Sequence, residues 1–308
     1  MDKYIKAVRL YSGNEKTLIE IRNHLQKFIG GSVDLTRRDD GFAIVTLNHS
    51  EKKNAMSGKM MVDLYDVVEE LEKWKEGKGL ILKGADGNFC SGGDLNFARA
   101  TGTAEEGFMM STLMQDALNR FQRLPLISVA VVEGSGAIGG GAELSVACDY
   151  RIVSEMSQGI GFVHGKMCII PAWGGTKRLV ERIGYRKALE VLSKGRIMSP
   201  SECIHLGLAD EVIPESENCL DYAISWLQER TKFNADVIRA MKVSCCVAND
   251  LPNDTEVERR IFAPFWGSPA NKEALSMNIK HKAGQRQITH RTTTFDVTAK
   301  IPDMLGKE

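Results

Sequence analysis

The sequence has little of three features that would assign it to a class at once: a charge excess, a long apolar run and a cysteine framework. It carries 40 Lys and Arg against 40 Asp and Glu, so the formal net charge is zero. A dedicated nucleic-acid or membrane-surface protein would usually be basic, and this balance argues against both. The most apolar stretch, 124–132, is nine residues long, well short of the roughly 20 that a membrane helix needs.

The seven cysteines form no C-x-x-C pair, and the six histidines are scattered without a pair at metal-ligand spacing. We therefore expect reduced thiols, some of them in the core, and no metal site. Reduced thiols favour the cytosol. The N-terminus lacks the apolar segment of a secretory signal, and Asp2 and Glu15 argue against a mitochondrial presequence.

The chain does have enough apolar sequence for a large core. Hydrophobic residues make up 43% of its 308 residues, which excludes wholesale disorder. Amphipathic helical segments alternate with short β-rich segments at 32–36, 42–48, 79–83, 126–132 and 150–153. This alternation predicts an α/β fold with crossover connections.

The spacing of apolar residues also divides the chain. Residues 1–31 hold a predicted N-terminal helix, and residues 32–214 carry the alternating strands and helices. Strand signals vanish near residue 215, so residues 215–283 predict a small helical C-terminal subdomain. Residues 284–308 are polar and weakly patterned, and we treat them as a tail.

Two glycine-rich segments, 88–95 and 139–144, each follow a predicted strand. Glycines at a strand-to-helix turn allow a ligand to approach the backbone and aim free N–H groups at it. Each loop taken alone is more often explained by a tight turn and close packing than by a ligand. The stretch 134–139 matches G-x-G-x-x-G by letter, but it lies mid-chain and no ribose-binding acid follows it, so a dinucleotide site is not predicted.

Five ordered motifs carry a resemblance to a known family. FCSGGDL, PLISVAVVEG, GGGAELSVACDYRI, IIPAWGGTKRL and MSPSECIHLGLADEVIP occur in this order. Together they resemble the crotonase, or enoyl-CoA hydratase/isomerase, superfamily over residues 32–280. The resemblance implies a crotonase-like spiral of ββα units with a helical C-terminal subdomain. It also implies an acyl-CoA substrate, a homotrimer or homohexamer, and no cofactor besides the coenzyme A of the substrate.

The resemblance implies roles for four residues. The backbone N–H groups of Gly93 and Gly140 would form an oxyanion hole for the thioester oxygen. Glu143 corresponds to the first of two glutamates that flank a water in the hydratases. The second position holds His164, so a two-carboxylate site for adding water is incomplete.

Within the superfamily, FVHGKMCIIPAWGGTKRLVERIG and WGSPANKEA most resemble members that decarboxylate a branched malonyl-CoA. The expected substrate is ethylmalonyl-CoA or methylmalonyl-CoA, with an enolate stabilised by the oxyanion hole. His164 would hold the departing carboxylate, and either Glu143 or His164 would protonate the carbon. Two alternatives stay open: an enoyl-CoA hydratase or isomerase, and a non-catalytic acyl-CoA-binding subunit.

Further substrate and CoA contacts are implied by motif position. The candidates are Lys53, Asn54, Ala55, Gly92, Asp94, Leu95 and Trp173. Lysines at the surface are usually only solvated, Asp94 could cap the next helix, and Trp173 could belong to the core or to the pocket. Two departures from the family pattern stand out: the loop 133–138 is one residue longer, and Cys168 replaces a common glycine.

Overall fold

The computed structural model describes residues 16–250 and 256–276. The predicted tail (284–308), the first 15 residues and the end of the last predicted helix (277–282) lie outside the described residues. The chain falls into two compact units that divide between Ile261 and Phe262. Among the helices that are described, none combines the length and apolarity needed to cross a bilayer.

A six-stranded sheet forms the centre of the first unit. Its strands are β1 (Ser32–Arg37), β2 (Phe42–Asn48), β3 (Gly79–Gly84), β4 (Ile127–Val132), β6 (Tyr150–Ser154) and β9 (Glu211–Ile213). The order across the sheet is β1-β2-β3-β4-β6-β9. β1 and β2 form an antiparallel hairpin, whereas the other neighbours are parallel. Parallel neighbours require crossover connections, so the predicted α/β class is confirmed.

The helices of the first unit connect the strands of the sheet and cover its faces. They are α1 (Leu18–Leu25), α2 (Gly58–Lys73), α3 (Leu95–Ala100), α4 (Ala104–Arg123), α5 (Gly140–Ala147), α6 (Gly175–Ile183), α7 (Tyr185–Lys194), α8 (Pro200–Leu206), α9 (Cys219–Arg230) and α10 (Ala235–Asp250). One further helix, α11 (Glu256–Phe262), includes the division, because its last residue belongs to the second unit. Several start at side-chain caps that the sequence provides. The Ser57 hydroxyl accepts the N–H of Met60 before α2, and Thr103 and Glu106 form a capping box before α4.

The main sheet is buried on both faces. Val45 and Leu82 face the cluster that includes α2 and α4. Ile81 and Val131 face the other way, against Leu227 of α9. Strands covered on both faces have no side exposed to solvent. Their sequences are therefore nearly continuous apolar runs and do not alternate between apolar and polar residues.

The helices α9 and α10 belong to the first unit. α9 packs on β3 and β4, and α10 also packs on β4. The change of sequence texture near residue 215 therefore does not coincide with a division between compact units, which falls at 261–262. The second unit contains α12 (Pro269–Ser276), and in it the rings of Phe262 and Trp266 lie 5.7 Å apart.

A smaller sheet positions the second glycine-rich segment. It consists of β5 (Ala137–Ile138), β7 (Ile160–Gly161) and β8 (Ile197–Met198), in that order. β5 ends directly before α5, and the N–H of Gly139 donates to the carbonyl of Gly161 at 2.8 Å. The start of α5 is therefore fixed to a sheet and not left to a free loop.

Candidate active site

A cavity of about 690 Å³ lies beside the start of α5, a volume typical of small-molecule sites. Nine of the predicted site residues line it: Ala55, Gly92, Gly93, Asp94, Leu95, Gly140, Glu143, His164 and Trp173. Two others, Lys53 and Asn54, do not line it. Within residues 16–250 and 256–276, no group of three His, Cys, Asp or Glu side chains is placed to hold a metal ion.

Gly93 and Gly140 line the cavity, and the backbone N–H of neither residue has an acceptor among the described residues. Gly93 is held in place by its neighbours, since Met56 donates to Gly92 at 2.8 Å and accepts from Asp94 at 2.9 Å. Gly140 is the first residue of α5. A Cβ built on Gly92 would lie 3.5 Å from the Gly140 nitrogen, so the two segments are adjacent. Two free donors on adjacent segments suit one carbonyl oxygen.

Glu143 is buried, and both of its carboxylate oxygens are occupied. Oε2 accepts the N–H groups of Trp173 and Gly175, each at 2.8 Å, and Oε1 accepts the N–H of Ala172 at 3.3 Å. A Cβ at Gly175 would come within 2.5 Å of the Glu143 Cγ, so only glycine fits there. The carboxylate therefore sits at the start of α6, where the helix dipole favours negative charge.

His164 completes the contacts of Glu143 and keeps one nitrogen free. It opens a short 3₁₀ helix, His164–Met167, and its Nε2 lies 3.0 Å from Oε1 of Glu143. Since a carboxylate oxygen accepts, Nε2 carries the hydrogen of this bond. Nδ1 is buried and has no partner among the described residues. Because His164 lines the cavity, Nδ1 is the ring atom left for a ligand.

Trp173 belongs to the core and to the cavity wall together. It is 4% exposed and part of the main core cluster. Its ring packs on Gly140 so closely that a Cβ there would lie 2.4 Å from the ring. The indole N–H donates to Sδ of Met110 in α4 at 3.2 Å. The tryptophan thus connects the predicted oxyanion-hole segment to α4.

Arg178 supports the same loop, although the sequence analysis did not single it out. Its guanidinium donates to the carbonyl of Trp173 (2.8 Å), to Asn119 (2.8 Å) and to Gln122 (3.0 Å). Burial lowers the pKa of Arg178, and the negative charge of Glu143 opposes that shift. One sequence signal could have found it, because Arg178 lies on the buried stripe of α6 with Leu179 and Ile183.

Asp94 lines the cavity and is both a helix cap and an ion-pair partner. It accepts the N–H of Asn96 at 2.8 Å at the start of α3 and the Lys52 ammonium at 2.6 Å. Burial raises the pKa of Asp94, but these two hydrogen bonds outweigh it and hold the pKa below its usual value. Lys52, and not Lys53, is therefore the lysine of this pair that lines the cavity.

The side chain of Asn54, which lies in a segment predicted to contact CoA, forms hydrogen bonds inside the protein. Its Oδ1 accepts the N–H of His49 at 2.8 Å, and its Nδ2 donates to Ala85 and Asn88 at 2.9 and 2.7 Å. Lys53 is exposed and ends the preceding 3₁₀ turn in a left-handed conformation. The hydrogen bonds of the Asn54 amide thus join two loops of the protein.

The two departures from the family pattern have clear local structures. The longer loop closes as a turn, with Gly136 N–H donating to Glu133 at 2.9 Å and Ser135 N–H donating to Asn88 Oδ1 at 2.9 Å. It then enters β5, which leads to Gly139. Cys168 is exposed and adopts a left-handed conformation, with φ of 57°, which explains why glycine suits that position.

Comparisons with known proteins were made for the whole chain. A family model described as enoyl-CoA hydratase/isomerase matches residues 37–285. Ethylmalonyl-CoA decarboxylase of Rattus norvegicus is 48% identical over 266 residues, which cover 85% of this chain and 88% of the relative. The structure resembles enoyl-CoA hydratase from Bacillus anthracis (TM-score 0.70, 25% identity, 80% of this chain and 95% of that one). It also resembles an enoyl-CoA hydratase-type protein of Thermobifida fusca YX in complex with acetoacetyl-CoA (TM-score 0.67, 25% identity, 79% and 97% covered).

Proposed function

Because the chain belongs to the enoyl-CoA hydratase/isomerase family, we propose that its cavity removes CO₂ from a short branched malonyl-CoA thioester, ethylmalonyl-CoA or methylmalonyl-CoA. The observation that carries this proposal is the unpaired Nδ1 of His164, in a cavity that also holds two free backbone donors. The relative named ethylmalonyl-CoA decarboxylase supports the same reaction. The protein is accordingly a carboxy-lyase.

The two backbone donors act on the thioester oxygen. It accepts the N–H groups of Gly93 and Gly140, which stabilise the negative charge that moves onto this oxygen when the α-carbon loses CO₂. Fixed donors of this kind cost no reorganisation during the reaction, and removing one typically lowers the rate ~10²–10³-fold.

His164 holds the departing carboxylate. With both ring nitrogens protonated, Nδ1–H donates to the substrate carboxylate while the Glu143 carboxylate offsets the charge on the ring. The hydrogen bond keeps the carboxylate perpendicular to the thioester plane. The breaking carbon–carbon bond then overlaps the carbonyl π system, and its electrons pass into the enolate.

The same nitrogen supplies the proton that completes the reaction. Once CO₂ has left, Nδ1–H of His164 protonates the α-carbon of the enolate, and solvent returns a proton to the ring. The sequence left Glu143 as an equal candidate. Both Glu143 oxygens already accept hydrogen bonds, so we assign Glu143 as the positioning residue and His164 as the catalytic acid.

Addition of water to an enoyl-CoA is the less favourable alternative. It needs two carboxylates flanking a water, and here the second position is the imidazole of His164, bonded to the first carboxylate. The reaction we propose needs no cofactor beyond the coenzyme A of the substrate. Homotrimeric or homohexameric assembly and a cytosolic location stay predictions.

Product analysis tests the proposal directly. The full chain is mixed separately with ethylmalonyl-CoA, methylmalonyl-CoA and crotonyl-CoA, and the products are followed by mass spectrometry. We expect butyryl-CoA and propionyl-CoA from the two malonyl esters and no 3-hydroxybutyryl-CoA from crotonyl-CoA. Faster hydration than decarboxylation would identify a hydratase. Binding of butyryl-CoA without turnover of any ester would identify an acyl-CoA-binding subunit.

A further inference from the structure

One stripe of residues on α4 faces the core over part of its length and the cavity over the rest. Gly107, Met114 and Leu118 are spaced i, i+7 and i+11, which places them on the same side of a helix. Met114 and Leu118 are fully buried in the core. Gly107 continues this inward stripe, yet it lines the cavity and not the core.

The space beside Gly107 holds no atom of the other described elements. A Cβ built on this residue would have no atom within 4 Å. Glycine is among the least favourable residues in the interior of a helix, and no contact in the described protein requires it here. An alanine or a larger residue would fit the fold, so the glycine leaves room that belongs to the cavity.

This room lies on the apolar side of the reacting centre. Met110 follows Gly107 by three residues, about 4.5 Å along the helix axis. Met110 accepts the indole N–H of Trp173, whose ring packs on Gly140 of the oxyanion-hole segment. An apolar wall therefore runs from the thioester position toward Gly107, whereas the free nitrogen of His164 serves the carboxylate.

We infer that Gly107 is a specificity-determining residue, whose missing side chain leaves the space for the α-alkyl group of the substrate. The inference rests on the proposed function, because it assigns the two α-substituents to different walls of the same cavity. The ethyl group of ethylmalonyl-CoA extends along Met110 toward Gly107. A side chain at position 107 would occupy part of this space.

The test compares Gly107→Ala and Gly107→Leu with Ala104→Leu, which adds the same leucine to an exposed position of α4 outside the cavity. The measured quantity is the ratio of kcat/KM for ethylmalonyl-CoA to that for methylmalonyl-CoA. We expect Gly107→Leu to lower this ratio about tenfold or more, since one excluded methylene group is worth about that much. Gly107→Ala should lower the ratio less and should keep or raise the Tm. Ala104→Leu should leave the ratio unchanged.

A binding measurement separates this inference from the proposed function. The affinities of the wild type and the three variants for propionyl-CoA and butyryl-CoA are measured by calorimetry. If the wild type decarboxylates neither ester, the proposed function fails, but selective loss of butyryl-CoA affinity in Gly107→Leu still supports the inference. Unchanged affinity and rate ratios in a Gly107→Leu variant with the wild-type Tm would overturn it.

Discussion

Nε2 of His164 lies 3.0 Å from Oε1 of Glu143, and both side chains are buried. The same carboxylate also accepts three backbone N–H groups between Ala172 and Gly175. The imidazole is therefore attached, through one side chain, to the loop that places Trp173 over the oxyanion-hole segment. This arrangement makes distinct predictions for the two members of the pair.

Glu143→Gln should damage both folding and catalysis. The amide keeps only one acceptor oxygen, so at least one buried N–H donor loses its partner, which costs about 1–3 kcal/mol of unfolding free energy. His164→Ala should lower kcat with a smaller loss of stability, because its imidazole makes a single hydrogen bond. Urea unfolding and steady-state kinetics measure these effects, with the exposed His205 replaced by alanine as control. Wild-type rates in both variants would reject the assigned roles.

Protonation by His164 predicts the stereochemistry of the product. In D₂O the acyl-CoA should carry one deuterium at the α-carbon with retained configuration, because the proton comes from the side that CO₂ leaves. A single enantiomer of methylmalonyl-CoA, which is chiral at its α-carbon, gives a monodeuterated propionyl-CoA whose configuration can be read by NMR. Inverted or racemic product from the wild type would place the acid elsewhere.

The two oxyanion-hole glycines should respond differently to alanine. A Cβ on Gly93 meets no atom within 4 Å, whereas one on Gly140 would lie 2.4 Å from the Trp173 ring. Gly93→Ala should therefore unfold at the wild-type temperature, and Gly140→Ala should lose about 1–3 kcal/mol through overpacking. Thermal unfolding of the two variants measures this difference. Equal Tm values would contradict the close packing of the Trp173 ring on Gly140.

Cys168→Gly should stabilise the protein. Cys168 holds a left-handed conformation, which costs a residue with a Cβ about 1–2 kcal/mol and costs glycine little. Denaturant unfolding should show a gain near 1 kcal/mol. Cys245→Gly, in the interior of α10, should instead lose about 0.3 kcal/mol through its lower helix propensity. A loss in both variants would mean that the Cys168 side chain has contacts that outweigh the strain.

Asp94 should contribute stability that depends on pH. The pKa of Asp94 is lowered in the folded protein, so its contribution is present above the unfolded value, about 3.9, and is lost as the pH falls through the folded value. Asp94→Asn keeps the helix cap and removes the charge. At pH 7 it should cost about 1 kcal/mol or less, since Lys52 is partly exposed, and the difference should vanish in acid. Equal costs at pH 7 and pH 3 would exclude a charge effect.

The order of the motifs predicted the fold and family, and the comparisons confirm both. Strand bounds also followed from the sequence, since buried apolar runs have sharp ends: 79–83 was predicted and Gly79–Gly84 is observed. The internal role of Asn54 could not be predicted, because its partners Ala85 and Asn88 lie far along the chain. The roles of Gly107 and Arg178 likewise depend on a cavity and on partners from other helices.

The roles proposed for the catalytic cavity residues stay predictions, but the structure separates candidates that the sequence treated alike. Glu143 and His164 were equal proton donors by motif position, and only the contacts of their side chains distinguish them. The sequence analysis named Lys53 as a candidate contact, whereas the structure places its neighbour Lys52 in the cavity lining. Such differences depend on the direction in which the folded backbone points each side chain.

The bonding of Glu143 to the start of α6 has an evolutionary consequence. Replacement at position 143 is restrained by folding as well as by catalysis, because three backbone groups depend on its oxygens. Replacement at position 164 disturbs a single side-chain bond. A lineage with this scaffold can therefore acquire new chemistry by exchanging residue 164 while residue 143 stays fixed, and the reaction can diverge without a new fold.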